Sequence, residues 1–331
     1  MNNMLVDAHF DVLLDVLSFR KRGERKVLER KYLRNLKESG VGALICSLYI
    51  CDEYLPEGAL RNALDQISAL MEELKESGEF FSLCRNSSEA KKATDEGKIA
   101  LFLSLEGAEP LGKDIFLLRT FYDLGVRFIG LTWSRRNYAG DGSTFVPADA
   151  PKYPGGLTKF GRELVMRAQE MGMVVDVSHL NDPGFYEVAE LMRGPFIASH
   201  SNCRSICGSG RNLKDDQIKI IAASEGVIGL NGYSPFVSDN ADERNPEKFF
   251  EHLRHITEIA GIESVGLGLD LCDCIESLNI AVGGNRQKDL FEDHMDAYRQ
   301  FVGPLKEKLS HNDYDAFTGG NFMRVIERVL G

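Results

Sequence analysis

The sequence predicts a closed (β/α)8 barrel of the TIM type, formed by a single domain over residues 1–331 with extra helices at its C-terminal end. Three observations carry the prediction: eight short β-rich apolar runs, stretches of helical period between them, and polar or reactive residues where most of the runs finish. The runs are Met4 to His9, Val41 to Ile50, Ile99 to Glu106, Val126 to Trp133, Met173 to His179, Phe196 to His200, Val227 to Tyr233 and Val265 to Asp270. Strands that alternate with helices pair in parallel, and eight of them favour closure over an open sheet.

The intervening helices follow from spacing. Leu157, Phe160, Leu164, Ala168 and Met171 recur every three or four residues, and Gly172 stands where that helix must stop. Glu57 to Ser77, Lys113 to Leu124, Pro183 to Met192, Lys214 to Ala223 and Glu247 to Ala260 read the same way. After the eighth strand, Gln287 to Leu309 and Phe322 to Leu330 predict helices packed outside the barrel. The chain contains no linker, internal repeat or low-complexity tract that would mark a second domain.

Composition narrows the function. The chain has 331 residues, 39 basic and 50 acidic side chains and a formal charge of -11, so it lacks the basic surface that duplex nucleic acid requires. No apolar run reaches the roughly 18 residues of a bilayer span, and the first residues show neither a basic region nor a long apolar stretch, so a cytoplasmic location is expected. The seven cysteines are scattered and odd in number, which fits a reducing compartment; Cys272-x-Cys274 and Cys203-x3-Cys207 lack a matching second pair and read as buried thiols. Serine-nucleophile elbows, phosphate loops and dinucleotide fingerprints are absent, and Gly208-Ser209-Gly210-Arg211 alone is a weak anion signal. A small-molecule site is what remains.

Active sites of such barrels lie at the C-terminal ends of the strands, where His9 and Asp11, Glu106, His179, His200 and Asp270 are expected. Residues two apart on a strand share a side, which would turn His9 and Asp11 toward one centre. Three imidazoles and three carboxylates at one rim suit a pair of divalent metals sharing a hydroxide nucleophile, and hence hydrolysis. His252, His255, His294 and His311 fall in helical or loop segments and read as structural or solvated.

Asp7-Ala8-His9-Phe10-Asp11, Ser104-Leu105-Glu106-Gly107, Asp176-Val177-Ser178-His179, Ser199-His200-Ser201-Asn202, Gly210-Arg211-Asn212, Gly266-Leu267-Gly268-Leu269-Asp270 and Gly319-Gly320-Asn321-Phe322 resemble, in order and spacing, the membrane dipeptidase (renal dipeptidase) family of zinc peptidases. The resemblance runs from Val6 to the C-terminal helix. It implies an amidohydrolase-type barrel with two Zn2+ ions that hydrolyses dipeptides, often tolerating a D-residue on the C-terminal side, and that often forms homodimers. Carried over by position, it implies that His9 and Asp11 hold one metal, His179 and His200 the other, and that Glu106 bridges them. Asp270 matches the acid/base carboxylate, and Arg211 the arginine that grips the substrate carboxylate with its planar fork.

One position departs from the family. Trp133 in Leu131-Thr132-Trp133-Ser134 stands where characterised mammalian members have a histidine that binds substrate and transition state. Indole offers one fixed N–H donor and cannot carry a proton. Trp133 therefore reads as an aromatic wall over the site, and Tyr233, at the end of the seventh strand, as a second substrate contact. Two alternatives follow: a metal-dependent amidase or N-acyl amino acid hydrolase of the same fold, and a metal-bound scaffold or sensor without efficient chemistry. The loops 137–156 and 234–245 line the expected pocket without a readable code for substrate side chains.

Overall fold

A computed structural model describes residues 4–145, 151–281 and 287–331. All its strands pair in parallel: β1 (Leu5–Phe10), β2 (Val41–Leu48), β3 (Phe81–Leu83), β4 (Ile99–Glu106), β5 (Val126–Gly130), β6 (Val174–Asp176), β7 (Ile197–Ala198), β8 (Val227–Leu230) and β9 (Val265–Leu267). β1 pairs with both β2 and β9, and β2 pairs with β4, so eight strands close a ring of the TIM type. The eight apolar runs are these ring strands. β3 is a ninth strand that sequence reading missed: three residues long, it leans on the first residues of β4 below the point where β5 joins. So short a segment carries no measurable periodicity.

Six of the eight ring strands, all but β1 and β4, are shorter than their apolar runs. Asp11, Trp133, His179, His200, Tyr233 and Asp270 lie just past strand ends rather than on them. The chain leaves the ladder there because side chains bond its backbone instead; Asp176 Oδ1, for example, accepts from the amides of Ser178 (3.0 Å) and Ser199 (2.9 Å). β1 also departs from strict alternation, since its pairing with β2 shifts register between Asp7 and Phe10, around His9.

Val6, Ala8, Ala43, Ile45, Ala100, Phe102, Phe128, Val174, Ile197 and Val227 fill the barrel interior as one buried cluster. Their small and large volumes interleave, as layers in a packed barrel must. The helix Asn321–Leu330 adds Phe322, Val325 and Ile326 to the same cluster and closes the end of the barrel opposite the candidate site. Phe322 reaches Gly266 of β9, where an added Cβ would stand 2.8 Å from its ring. A second, larger apolar cluster joins the outer strand faces to the surrounding helices.

The predicted helices appear as Ala59–Ser77, Phe116–Asp123, Lys159–Glu170, Asp182–Leu191, Asp215–Ala223, Pro246–Ala260 and Asn321–Leu330. Gly172 has φ +67, as a helix stop requires. Among the described residues five α-helices were not predicted: Val12–Lys21, Leu33–Glu38, Ser87–Asp95, Glu276–Ala281 and His311–Asp315. The first is buried along most of its length, which erases the polar face that makes periodicity visible. Gln287 to Leu309 is not one helix but a non-helical start followed by short turns at His294–Ala297 and Leu305–Lys308 with a π-turn between them. Of the loop 137–156, residues 146–150 lie outside the described residues. Among the described residues no helix is long and apolar enough to cross a membrane.

Phe322→Ala should lower stability by about 3 to 5 kcal/mol, because the vacated volume is enclosed by barrel and helix and cannot collapse. Phe116, 82% exposed, serves as the control, and Phe116→Ala should change stability by less than about 0.5 kcal/mol. Urea unfolding of both variants measures this, and equal losses would show that the C-terminal helix is not part of the barrel core.

Candidate metal centre

The structure brings His9, Asp11, Glu106, His179, His200 and Asp270 to one point above the barrel. His9 Nε2 lies 3.5 Å from Glu106 Oε1, 3.7 Å from Asp11 Oδ1 and 3.9 Å from Asp270 Oδ1. Glu106 Oε1 is 3.0 Å from His179 Nε2, so this carboxylate stands between the two histidine sets. His179 Nε2 and His200 Nε2 face each other at 2.8 Å. Among the described residues two sets of donors lie close enough to share an ion: His9 with Glu106 and His200, and His9 with Asp11 and Asp270.

Second partners fix how these groups point. His179 Nδ1 meets Ser134 Oγ at 2.9 Å, and His200 Nδ1 meets Ser199 Oγ at 2.6 Å, which leaves both Nε2 atoms directed at the centre. Ser199 Oγ also donates to Asp176 Oδ2, and Ser47 Oγ donates to Asp11. Asn231 Nδ2 donates to Asp270 Oδ2 at 3.0 Å. Cys272 Sγ stands 3.5 Å from Asp270 Oδ1 and 3.8 Å from Asp11 Oδ2.

Behind His9, Asp7 is fully buried. Its Oδ1 accepts from the amides of Leu269 (2.8 Å) and His9 (3.3 Å), and its Oδ2 meets His294 Nε2 at 2.9 Å. One carboxylate thus holds the ends of β1 and β9 together. The tie falls next to Asp270, whose φ of +54 puts a non-glycine residue in the left-handed region, a conformation that costs energy and persists only where surroundings enforce it. Gly229 and Gly268 are required nearby, since a Cβ on either would stand within 1.9 Å of the Ser199 carbonyl oxygen.

Charge at this point is unbalanced. Burial, and then the neighbouring Asp11 and Asp270, push the Glu106 carboxyl well above its ordinary range. Burial holds His179 and His200 far below the ordinary histidine value, in the neutral form that ligates metals. Arg211 is buried too, and burial brings its guanidinium down to about 10 although Asp270 and Glu106 oppose this. His9 Nε2 and Glu106 Oε2 are buried without a hydrogen-bond partner among the described residues. Such orphaned atoms are rare unless something absent completes them. Neutral imidazoles, crowded carboxylates and unpartnered lone pairs aimed at one centre fit a divalent cation.

A cavity of about 330 Å³ opens beside this centre, lined by Asp11, Glu106, His179 and Asp270 on one side and by Trp133 and Tyr233 among the aromatics on the other. Arg211 does not line it. Its Nη2 donates to the His200 carbonyl at 3.4 Å, Nε and Nη1 have no partner among the described residues, and Cζ lies 5.6 Å from the Phe236 ring. Sequence reasoning missed Ser47, Ser134, Asp176, Ser199, Asn231 and the Asp7–His294 pair. Asp7, Asp176 and Ser199 lie inside motifs already singled out, but a serine or aspartate beside a strand end carries no periodic signal.

A parallel eight-stranded ring with a histidine and carboxylate cluster at its C-terminal rim is the architecture of amidohydrolase-like barrels. The chain belongs to the membrane dipeptidase family, peptidase family M19, whose sequence model matches residues 1–330. An uncharacterized protein in the PQQ-III 3′ region of Acinetobacter calcoaceticus is 32% identical over 199 residues, a match that spans 59% of this chain and 62% of that relative's length. Dipeptidase AC, a metallo peptidase of family M19, superposes with a TM-score of 0.86 at 27% identity over 99% of both chains. A metallo peptidase from Rhodobacter sphaeroides, solved with a phosphinate mimic of the dipeptide L-Ala-D-Ala, gives a TM-score of 0.86 at 26% identity over 98% of this chain and 99% of its own.

The loop bearing Arg211 is anchored by Asp182, which accepts two hydrogen bonds from Arg204 (2.8 Å each) and lies 2.8 Å from Lys214 Nζ. Burial alone would raise the Asp182 carboxyl, but these two cations outweigh it and leave it below its ordinary value. With a lowered folded-state value, the stabilisation is complete above the unfolded carboxylate's value of about 3.9 and is lost as pH falls through the folded one. Asp182→Asn should therefore flatten the acid limb of the melting temperature against pH below about pH 4. Parallel acid limbs for variant and parent would remove Asp182 from this anchor.

Proposed function

We propose that this chain is a binuclear zinc dipeptidase. The observation that carries the reading is Glu106 standing between His9 and His179 with an orphaned second oxygen, beside the orphaned His9 Nε2. In this reading His9 and Asp11 would hold one Zn2+, His179 and His200 would hold the other, and Glu106 would serve both. When bound, the ions supply Lewis acidity toward a carbonyl and make water acidic enough to act at neutral pH. Family membership and the dipeptide mimic bound by the Rhodobacter sphaeroides protein support a dipeptide substrate, with a D-residue accepted on the C-terminal side.

The chain's own residues then have distinct tasks. Asp270 has one oxygen held by Asn231 and the other turned toward His9, so it can take a proton during attack and return it to the leaving amine. Arg211, whose Nε and Nη1 have no partner among the described residues, suits the planar carboxylate of a dipeptide. Trp133 stacks on His179 with ring centroids 5.8 Å apart and gives the substrate a wall and at most one fixed donor. We read the whole chain, 1–331, as one cytoplasmic domain acting on a small substrate.

Metal analysis of the purified protein should find two zinc ions per chain, with hydrolysis of L,L or L,D dipeptides lost on chelation and regained with zinc. Asp270→Asn should keep both ions while turnover falls by about 10²- to 10⁴-fold, whereas Glu106→Gln should lose metal. An active Asp270→Asn variant would overturn the acid/base assignment. Failure of metal-loaded protein on every dipeptide, with turnover of N-acyl amino acids, would move the reading to an amidase.

A further inference from the structure

The cavity wall opposite the carboxylates is built from Tyr49, Trp133, Phe145, Tyr233, Phe236 and Leu278. The rings form a connected layer: Trp133 meets Tyr49 and Phe145 at 5.4 Å each, Phe145 stacks on Phe236 at 5.6 Å, and Phe236 meets Tyr233 edge-on at 4.9 Å. Among the described residues, no lysine or arginine lines the cavity. The Arg135 guanidinium is committed behind the layer. Arg135 lies 4.9 Å from the Trp133 ring and donates to Glu109 (2.9 Å), Asp52 (3.0 Å) and the Ile50 carbonyl (2.8 Å). Arg211, whose Cζ lies 5.6 Å from the Phe236 ring, is not among the lining residues.

A carboxylate side chain placed against these rings would give up water to apolar faces, whereas an aliphatic or aromatic one would bury its surface against rings of matching chemistry. We propose that the substrate side chain seated here is apolar or aromatic rather than acidic, and that Trp133 is the main specificity-determining residue. The inference rests on the dipeptidase reading for the reaction, but the selectivity belongs to the wall and is also measurable as binding. Trp133 is the one tryptophan in the chain, so indole fluorescence reports this wall alone.

The test uses the zinc-loaded protein and two series. In the first, kcat/KM is compared for dipeptides carrying Phe, Leu or Glu at each position in turn, with Ala as the other residue. In the second, non-hydrolysable phosphinate dipeptide mimics bearing a benzyl or a carboxyethyl side chain are titrated against Trp133 fluorescence. At one position Phe and Leu should exceed Glu by at least tenfold, the benzyl mimic should bind at least tenfold tighter, and Trp133→Ala should bring the Phe to Glu ratio of kcat/KM toward one. Selective binding of the benzyl mimic without turnover of any dipeptide would sustain the wall's preference and sink the dipeptidase reading. Turnover with a flat or Glu-favouring profile would sink the preference and spare that reading, and neither binding nor turnover would overturn both.

Discussion

Three carboxylates, Asp11, Glu106 and Asp270, share one small and largely dry space at the mouth of the barrel, and the rest of the structure answers to that constraint. Like charges in a place with little water repel strongly, and burial penalises each of them further. The response inside the chain is incomplete: Glu106 is driven toward its neutral form, His179 and His200 stay neutral, and Arg211 only partly offsets the burial of Glu106. A cluster of this kind is costly as a fold element and useful as a cation receptor, which is why its chemistry and its family membership point the same way.

Holding such a cluster in register needs braces that do not themselves point into it. Two buried aspartates do this. Asp7 ties β1 to the segment after β9 through the Leu269 amide and is itself held by His294, and Asp176 ties β6 to the segment after β7 through the amides of Ser178 and Ser199. Each brace ends one or two residues from a candidate ligand, so backbone geometry is set before the ligand's own rotamer matters. Ser134 and Ser199 then fix the imidazole planes. The positive φ of Asp270 is the local cost of this bracing, borne at the residue whose direction matters most for a proton transfer.

The two sides of the cavity answer different questions. The polar side is assembled at strand ends, and it bears on what reaction is possible. The aromatic side comes from loops after β2, β5 and β8, where residues vary without disturbing the ring. Trp133 belongs to that second side, where it stacks on His179 and shapes what a substrate would touch.

By itself the sequence determined the barrel, the placing of six chemistry-bearing residues at one rim and the family resemblance. Eight apolar runs of strand length and the helical spacing between them are local properties, and parallel closure follows from them by general rules. Tertiary structure alone decided what surrounds those six. That Asp7 faces His294, 287 positions away, that Ser134 supports His179, that Arg211 comes near the Phe236 ring, and that five rings join into one wall depend on contacts between residues distant in the chain. Periodicity reports which face of an element is apolar. It does not report where a side chain points once its strand has ended, because there the backbone follows hydrogen bonds to other segments rather than the ladder.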